Sequence, residues 1–128
     1  LKYRVDLCLW GHVHNAEVTC PMRNGECVSA DAPGEYDAPV HAIIGNAGQS
    51  LSAFSGTPPA WSLWRFAVFG FSTIQVDGPS SLTMNFFADC KRAIDPVHRA
   101  TYVQPLDCSQ ADQLVHTFTI QRRADLWL

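Results

Sequence analysis

The sequence lacks any apolar run of the roughly 18 residues that a membrane-crossing helix needs, and no basic, apolar-cored leader is visible in it. It also lacks a basic stripe. Nine Lys and Arg are scattered among twelve Asp and Glu, for a formal charge of −3, so the electrostatic footprint of a nucleic-acid binder is missing. An anionic substrate would therefore have to be attracted by the charge of a metal ion. No Asn-x-Ser/Thr sequon occurs, so N-glycosylation finds no support. Internal repeats, low-complexity tracts and convincing amphipathic helices are absent too; residues 109–115 offer at most a short helical turn.

What is present is 128 residues with 47% hydrophobic content, enough for one modest core and with no sign of two domains. The five cysteines are informative. Cys20 and Cys27 bracket Pro21-Met22-Arg23-Asn24-Gly25-Glu26, and Asn-Gly reads as a tight reversal that brings the two thiols within bridging range. Cys90 and Cys108 flank a Pro-containing segment and are candidates for a second bridge, while Cys8 lies in an apolar run and reads as a buried free thiol. Two bridges imply an oxidising compartment. A cysteine–histidine zinc site is the weaker alternative, because no Cys-x-x-Cys occurs and no thiol stands at finger spacing from the histidines.

Residues 4–10 read as a buried strand, followed by a long loop from Gly11 to Ala38 rich in Gly, Pro, Asp and Asn. Val40 to Ile44 is a second strand, ending at Gly45-Asn46-Ala47-Gly48, where glycines let the backbone pass closely by something. Gln49 to Pro59 is a loop of small residues, and Trp61 to Phe66 an aromatic patch. Phe66 to Val76 and Ser81 to Ala88 read as two strands around the turn signal Asp77-Gly78-Pro79-Ser80, the second with Leu82, Met84, Phe86 and Ala88 on one face. Val115 to Ile120 is expected to be the closing strand.

The most telling element is Gly11-His12-Val13-His14 at the end of the first apolar run. If the chain stays extended there, both imidazoles leave the same side of the strand end, their starting points about 6.5 to 7 Å apart. With about 2 Å of reach in each His–metal bond, two ions about 3.5 to 4 Å apart could take one imidazole each. The bland reading is a pair of loop histidines.

The stretch Asp6-Leu7-Cys8-Leu9-Trp10-Gly11-His12-Val13-His14-Asn15 resembles the last metal-ligand motif of the calcineurin-like metallophosphoesterases, and specifically of the purple acid phosphatases. Further matches follow in order: Asn24-Gly25-Glu26-Cys27, then 38–48 (Ala-Pro-Val-His-Ala-Ile-Ile-Gly-Asn-Ala-Gly), then Arg65 to Phe71 leading into Ile74-Gln75-Val76. The resemblance implies an α+β fold in which this chain is the C-terminal half of a four-layer αββα sandwich and is itself mainly antiparallel β. It implies that residues 1–123 belong to that domain and 124–128 to a tail. The chain opens at Leu1, ten residues before the motif, so it is expected to be the C-terminal piece of a longer protein.

In the family a dinuclear centre of Fe(III) plus a divalent ion, Zn, Mn or Fe, orients a phosphate ester and lowers the pKa of the attacking water. By resemblance His12 would bind the divalent ion and His14 the ferric ion; the upstream ligands, including the tyrosine that gives the purple colour, are not in this chain. Tyr3, Tyr36 and Tyr102 do not occupy that motif, and no side chain here is assigned as a catalytic acid or base. The implied activity is acid phosphatase action on small phosphate monoesters by the full-length parent, with the isolated chain inactive. Alternatives are a nucleotide pyrophosphatase/phosphodiesterase of the same family, or a non-catalytic metal-binding or interaction module. The implied location is secreted, extracellular or vacuolar/lysosomal; oligomeric state is left open.

Asn15, Glu17, His41 and Asn46 are candidates to line the site. Plant-type relatives often continue Tyr-Glu-Arg where this chain has Ala16-Glu17-Val18, a change that either alters substrate fit or repacks the loop. For His41, with apolar neighbours, a hydrogen-bonded structural role outweighs a ligand role; for Asn46 local backbone bonding is the default. Trp61, Trp64, Phe66, Phe69 and Phe71 are expected in the core rather than along a cleft. Arg65 is expected in a surface ion pair, and His98 and His116 are expected to be exposed.

Overall fold

The computed structural model describes residues 5–29, 38–93, 106 and 108–122. Expectations for Tyr3, Tyr36, Tyr102, His98 and the 124–128 tail lie outside these. In chain order the elements are β1 (Leu7–Trp10), β2 (Ala16–Thr19), β3 (Met22–Arg23), β4 (Glu26–Cys27), β5 (Val40–Ile44), β6 (Ser62–Phe66), β7 (Gly70–Val76), β8 (Ser81–Asp89), α1 (Cys90–Ala93) and β9 (Asp112–Gln121). One four-stranded sheet has the order β1-β5-β2-β6, and a three-stranded sheet has the order β7-β8-β9. Among the described residues β1 and β5 run parallel and the other pairings are antiparallel.

The expected loop 11–38 is corrected by β2, which lies inside it and between β5 and β6. All four of its residues are buried, and two of them, Glu17 and Thr19, are polar. Each is satisfied internally: Thr19 Oγ1 donates to the Cys20 carbonyl at 2.7 Å and accepts from the His41 amide at 3.1 Å, while Glu17 meets the guanidinium of Arg65 and the hydroxyl of Ser62. Alternation of polar and apolar residues in a strand normally marks a solvated face; here partners replace the solvent. The small hairpin β3–β4 matches expectation. Asn24 and Gly25 both take positive φ, 54° and 85°, the pairing that a two-residue type I′ turn requires, and Cys20 bridges to Cys27 across it. The second disulfide, Cys90–Cys108, is also present. Cys8 is free but only half-buried, since β1 is an edge strand whose last residues, Leu9 and Trp10, are exposed.

The expected single strand 66–76 is two strands in different sheets. Ala67, Val68 and Phe69 form a buried crossing between them. The crossing is possible because residue 70 is glycine: a Cβ there would fall 1.9 Å from the Phe87 carbonyl oxygen, so only a residue without one lets β7 start against β8. A continuous apolar stretch conceals such a switch, because every residue in it is buried whichever sheet it serves. At the other end of the molecule Asp6, just before β1, forms a two-point ion pair with Arg122, just after β9, tying the two sheets together.

The core is where the two sheets face each other. Ala16, Val18, Val40, Ala42 and Phe66 from the first sheet meet Met84, Phe86, Ala88 and Ile120 from the second, so the alternation read along β8 is confirmed. Trp64 crosses from β6 to meet Phe86 at a tilt and to stack on His116, with ring centroids 4.9 and 4.5 Å apart. His116 is therefore not exposed as expected. A register shift puts Phe86 opposite His116 but Phe87 opposite Leu114, and the extra residue of this bulge turns the ring inward.

Burial lowers the pKa of His116 below its ordinary value by penalising the imidazolium. The unfolded chain then takes up its proton at higher pH than the folded one. This contribution to stability is complete above about pH 6.5 and is lost as pH falls through the folded value. Thermal unfolding between pH 8 and 5 is expected to show that loss, and His116→Phe, which keeps the ring against Trp64, to remove it; an unaltered pH slope in the variant would rule the assignment out.

Candidate metal-ligand loop and cleft

β1 and β5 end side by side, and the chain leaves both at their carboxyl ends, the place where parallel strands commonly open a binding crevice. From β1 comes Gly11–Asn15, carrying His12 and His14; from β5 comes Gly45–Ser52. The first loop is bent rather than extended. The Asn15 amide donates to the Val13 carbonyl at 2.9 Å, a three-residue turn centred on His14. The strand-based separation of the two imidazoles therefore does not apply, and the orientation of each is set by its own contacts.

Those contacts come from the second loop. The Ser52 amide donates to the His14 carbonyl at 2.8 Å, and the Gly45 amide donates to the Asn15 carbonyl at 3.0 Å. Asn15 is buried and its Nδ2 donates to the Ser52 carbonyl at 3.4 Å. A Cβ on residue 45 would lie 2.0 Å from the Val13 carbonyl oxygen and 2.8 Å from that of Gly11, so the backbone of the His loop rests directly on the backbone after β5. His12 is exposed, whereas His14 is half-buried with its Nδ1 2.8 Å from Ser50 Oγ. Ser50 Oγ in turn donates to Gln49 Oε1 at 2.6 Å. His14 opens onto a cleft of about 470 Å³ whose walls include Leu9, Trp10, Ile44, Ala47 and Gln49.

The other candidates are held elsewhere in the fold. His41 lies three residues before the end of β5. The Trp10 indole donates to its Nδ1 at 3.0 Å, with the two rings nearly parallel. A neutral His41 then carries its proton on Nε2 and has no lone pair left for a metal. Glu17 is on β2: its Oε1 accepts from Arg65 Nε at 2.7 Å and from Ser62 Oγ at 2.5 Å. Phe54 sits 4.8 Å from the Arg65 guanidinium carbon and caps the pair. Asn46 straps the end of β5 to the sheet crossing, its Nδ2 donating to the Val68 carbonyl at 2.9 Å and its carbonyl accepting from the Gly70 amide at 3.0 Å. Of the aromatics, Phe66 and Phe69 are buried and Trp64 packs on the core, whereas Phe71 is exposed and lies against Phe87.

Among the described residues no three His, Cys, Asp or Glu side chains gather into a group able to hold a metal ion. Two imidazoles on a braced loop suit a borderline ion as part of its ligand set, since such ions take nitrogen donors readily. They are not a complete set. The residues missed from sequence were Ser50, Gln49 and Ser52, read only as members of a small-residue loop; the glycines of 45–48 were the one signal that this backbone approaches another.

Residues 38–96 match the family described as iron/zinc purple acid phosphatase-like protein C. Over 88 residues, 66% of this chain, the sequence is 42% identical to a protein of Arabidopsis thaliana named probable inactive purple acid phosphatase 24, and 35% identical to a nucleotide pyrophosphatase/phosphodiesterase of Hordeum vulgare. Those matches cover 14% and 24% of the respective relatives, so the chain spans a small part of their length. A purple acid phosphatase isolated from yellow lupin (Lupinus luteus) seeds superposes with a TM-score of 0.70 at 26% identity, over 97% of this chain and 19% of that one.

Two outcomes follow from the geometry. Arg65→Ala leaves the Glu17 carboxylate buried without its cation; an uncompensated charge of this kind costs about 3 kcal/mol or more, measurable by urea unfolding. Gly45→Ala drives a methyl group into the Val13 carbonyl. It is expected to cost about 1 to 3 kcal/mol of stability and, unlike Arg65→Ala, to shift the NMR signals of His12 and His14, because the displaced backbone carries both.

Proposed function

This chain belongs to the purple acid phosphatase family, whose C-terminal domain it carries, and we propose that it supplies His12 and His14 as two ligands of a dinuclear metal centre in a phosphate-ester hydrolase. The observation that carries this reading is the His loop itself, fixed by Gly45 and Ser52 at the carboxyl ends of two parallel strands and open to a cleft. His12 would hold the divalent ion and His14 the ferric ion. Such a centre supplies positive charge to the phosphate oxygens and a water acidic enough to be deprotonated near neutral pH. The chain's own residues then orient the donors: Gly45 seats the loop, Ser52 fixes the His14 backbone, and Leu9, Trp10 and Ile44 keep one wall of the cleft apolar. Glu17 and His41 support the sheet rather than the chemistry.

The substrate we favour is a small phosphate monoester, without nucleic-acid binding, since the net charge is negative and no basic stripe occurs. The two disulfides support a secreted or vacuolar setting for the parent. A second reading has its own support: the Arabidopsis relative is named as probably inactive, which favours a module that binds metal or a partner without turnover.

Metal analysis and ester hydrolysis at acidic pH on the complete gene product, beside a His12→Ala/His14→Ala double variant, decide between them. Two metal ions per molecule and monoester hydrolysis, both lost in the variant, are expected. Hydrolysis of nucleotide pyrophosphates or phosphodiesters in preference to monoesters would move the assignment to that branch of the family. A metal-free, inactive wild type would sink the hydrolase reading.

A further inference from the structure

We propose that Ser50 and Gln49 form a hydrogen-bond relay that fixes the tautomer of His14, placing its proton on Nδ1 and leaving the Nε2 lone pair for a metal ion. The inference rests on the reading of His14 as a ligand and names the residues that make it one. Serine has one proton to give. Ser50 Oγ gives it to Gln49 Oε1 at 2.6 Å, and that oxygen can only accept. The same Oγ is 2.8 Å from His14 Nδ1, so along that contact the ring must be the donor. A neutral imidazole that carries its proton on Nδ1 is an acceptor at Nε2. The relay thus selects between two tautomers that differ little in energy for an isolated side chain, and it holds the ring in one rotation about its Cβ–Cγ bond.

His41, on β5, shows the opposite arrangement. There an indole N–H, which can only donate, meets Nδ1 at 3.0 Å and forces the proton onto Nε2. The two histidines therefore differ in metal competence because of their partners, although both sit at the cleft end or on the flank of β5. Ser50 and Gln49 are positioning residues: neither is a ligand, and their action passes through His14. They are well placed to act together, because the Ser52 amide is bonded to the His14 carbonyl at 2.8 Å, which keeps the loop carrying Ser50 in register with the ring.

The test uses the complete gene product, stripped of metal and titrated with Zn²⁺, as wild type and as Ser50→Ala, Gln49→Ala, Gln49→Glu and His14→Ala. Histidine-selective ¹⁵N spectra of the apoprotein are recorded alongside, with the His14 signals identified by their absence from His14→Ala. The expected result is a loss of zinc affinity of about 10- to 100-fold in Ser50→Ala and Gln49→Ala, and near wild-type affinity in Gln49→Glu, which retains the acceptor. In the spectra His14 is protonated on Nδ1 and His41 on Nε2, and in Gln49→Ala the His14 proton shifts toward Nε2 as the serine hydroxyl turns round to donate. If His14→Ala weakens zinc binding but Ser50→Ala and Gln49→Ala do not, the relay is overturned and the ligand assignment stands. An Nε2-protonated His14 in the wild type overturns the relay too, because it means that the glutamine amide is reversed and the hydrogen bonds run the other way. Zinc binding untouched by His14→Ala overturns the ligand assignment, and the relay with it.

Discussion

The Val13 carbonyl oxygen lies where a side chain on residue 45 would be, and this backbone-on-backbone approach holds the candidate site to the sheet. Among the described residues β1 is an edge strand paired with β5, so the loop that leaves it would otherwise be anchored on one side alone. With Gly45 under it, the loop turns back within five residues and enters β2 on the far side of β5. Strand order β1-β5-β2 follows from that turn: the chain passes over the end of β5 and descends on its other edge. The missing Cβ therefore lets the loop that carries the histidines lie against the end of β5 where the chain crosses to its other edge.

Gly70 does the equivalent service for the second sheet, and Asn46 connects the two places. Its backbone carbonyl accepts from Gly70, its side-chain amide reaches Val68, and its neighbour Gly45 carries the His loop. Buried asparagine is a costly choice for a strap unless its groups are matched; its Nδ2 is matched, whereas its Oδ1 is buried without a hydrogen-bond partner among the described residues. Here the amide hydrogen goes to the Val68 carbonyl in the crossing, next to the Phe69 carbonyl that the Asp89 amide of β8 bonds, so Asn46 and β8 together hold the sheet switch. The start of β7 is thereby fixed to the end of β5, next to the residues that line the cleft.

How far the sequence revealed this depended on whether a feature was local. Asn24-Gly25 announced its turn and the Cys20–Cys27 bridge because the chemistry of a two-residue reversal is complete within the residues themselves. Val40–Ile44 and the alternating face of β8 were equally legible, since burial there follows the strand period. β2 was not, because Glu17 and Thr19 look solvated until Arg65, Ser62 and the His41 amide are brought beside them from 22 to 48 residues away. His116 misled for the same reason in reverse: polar neighbours suggested exposure, and a bulge of one residue turned the ring onto Trp64. Within the site, the His pair stood out by residue type, but the Ser50 contact that distinguishes His14 from His41 spans 36 positions and has no local signature.

Under the proposed ligand role, the donors that complete the metal site approach His14 from the cleft. Its Nδ1 side is closed by Ser50, and its backbone is closed by Ser52, Gly45 and the buried Asn15 behind them. What remains open is the cleft, with Leu9, Trp10 and Ile44 along it. In the proposed centre each ion takes one imidazole from this chain, and because neutral imidazole carries no charge, the compensation of the ions' charge falls to carboxylates entering across that apolar wall. An apolar wall is a suitable boundary for such a meeting, because a lowered dielectric strengthens the attraction between incoming carboxylates and the ion. The same wall gives water few groups to bond, so a chain that fills the cleft is favoured both by the charge it brings and by the surface it covers.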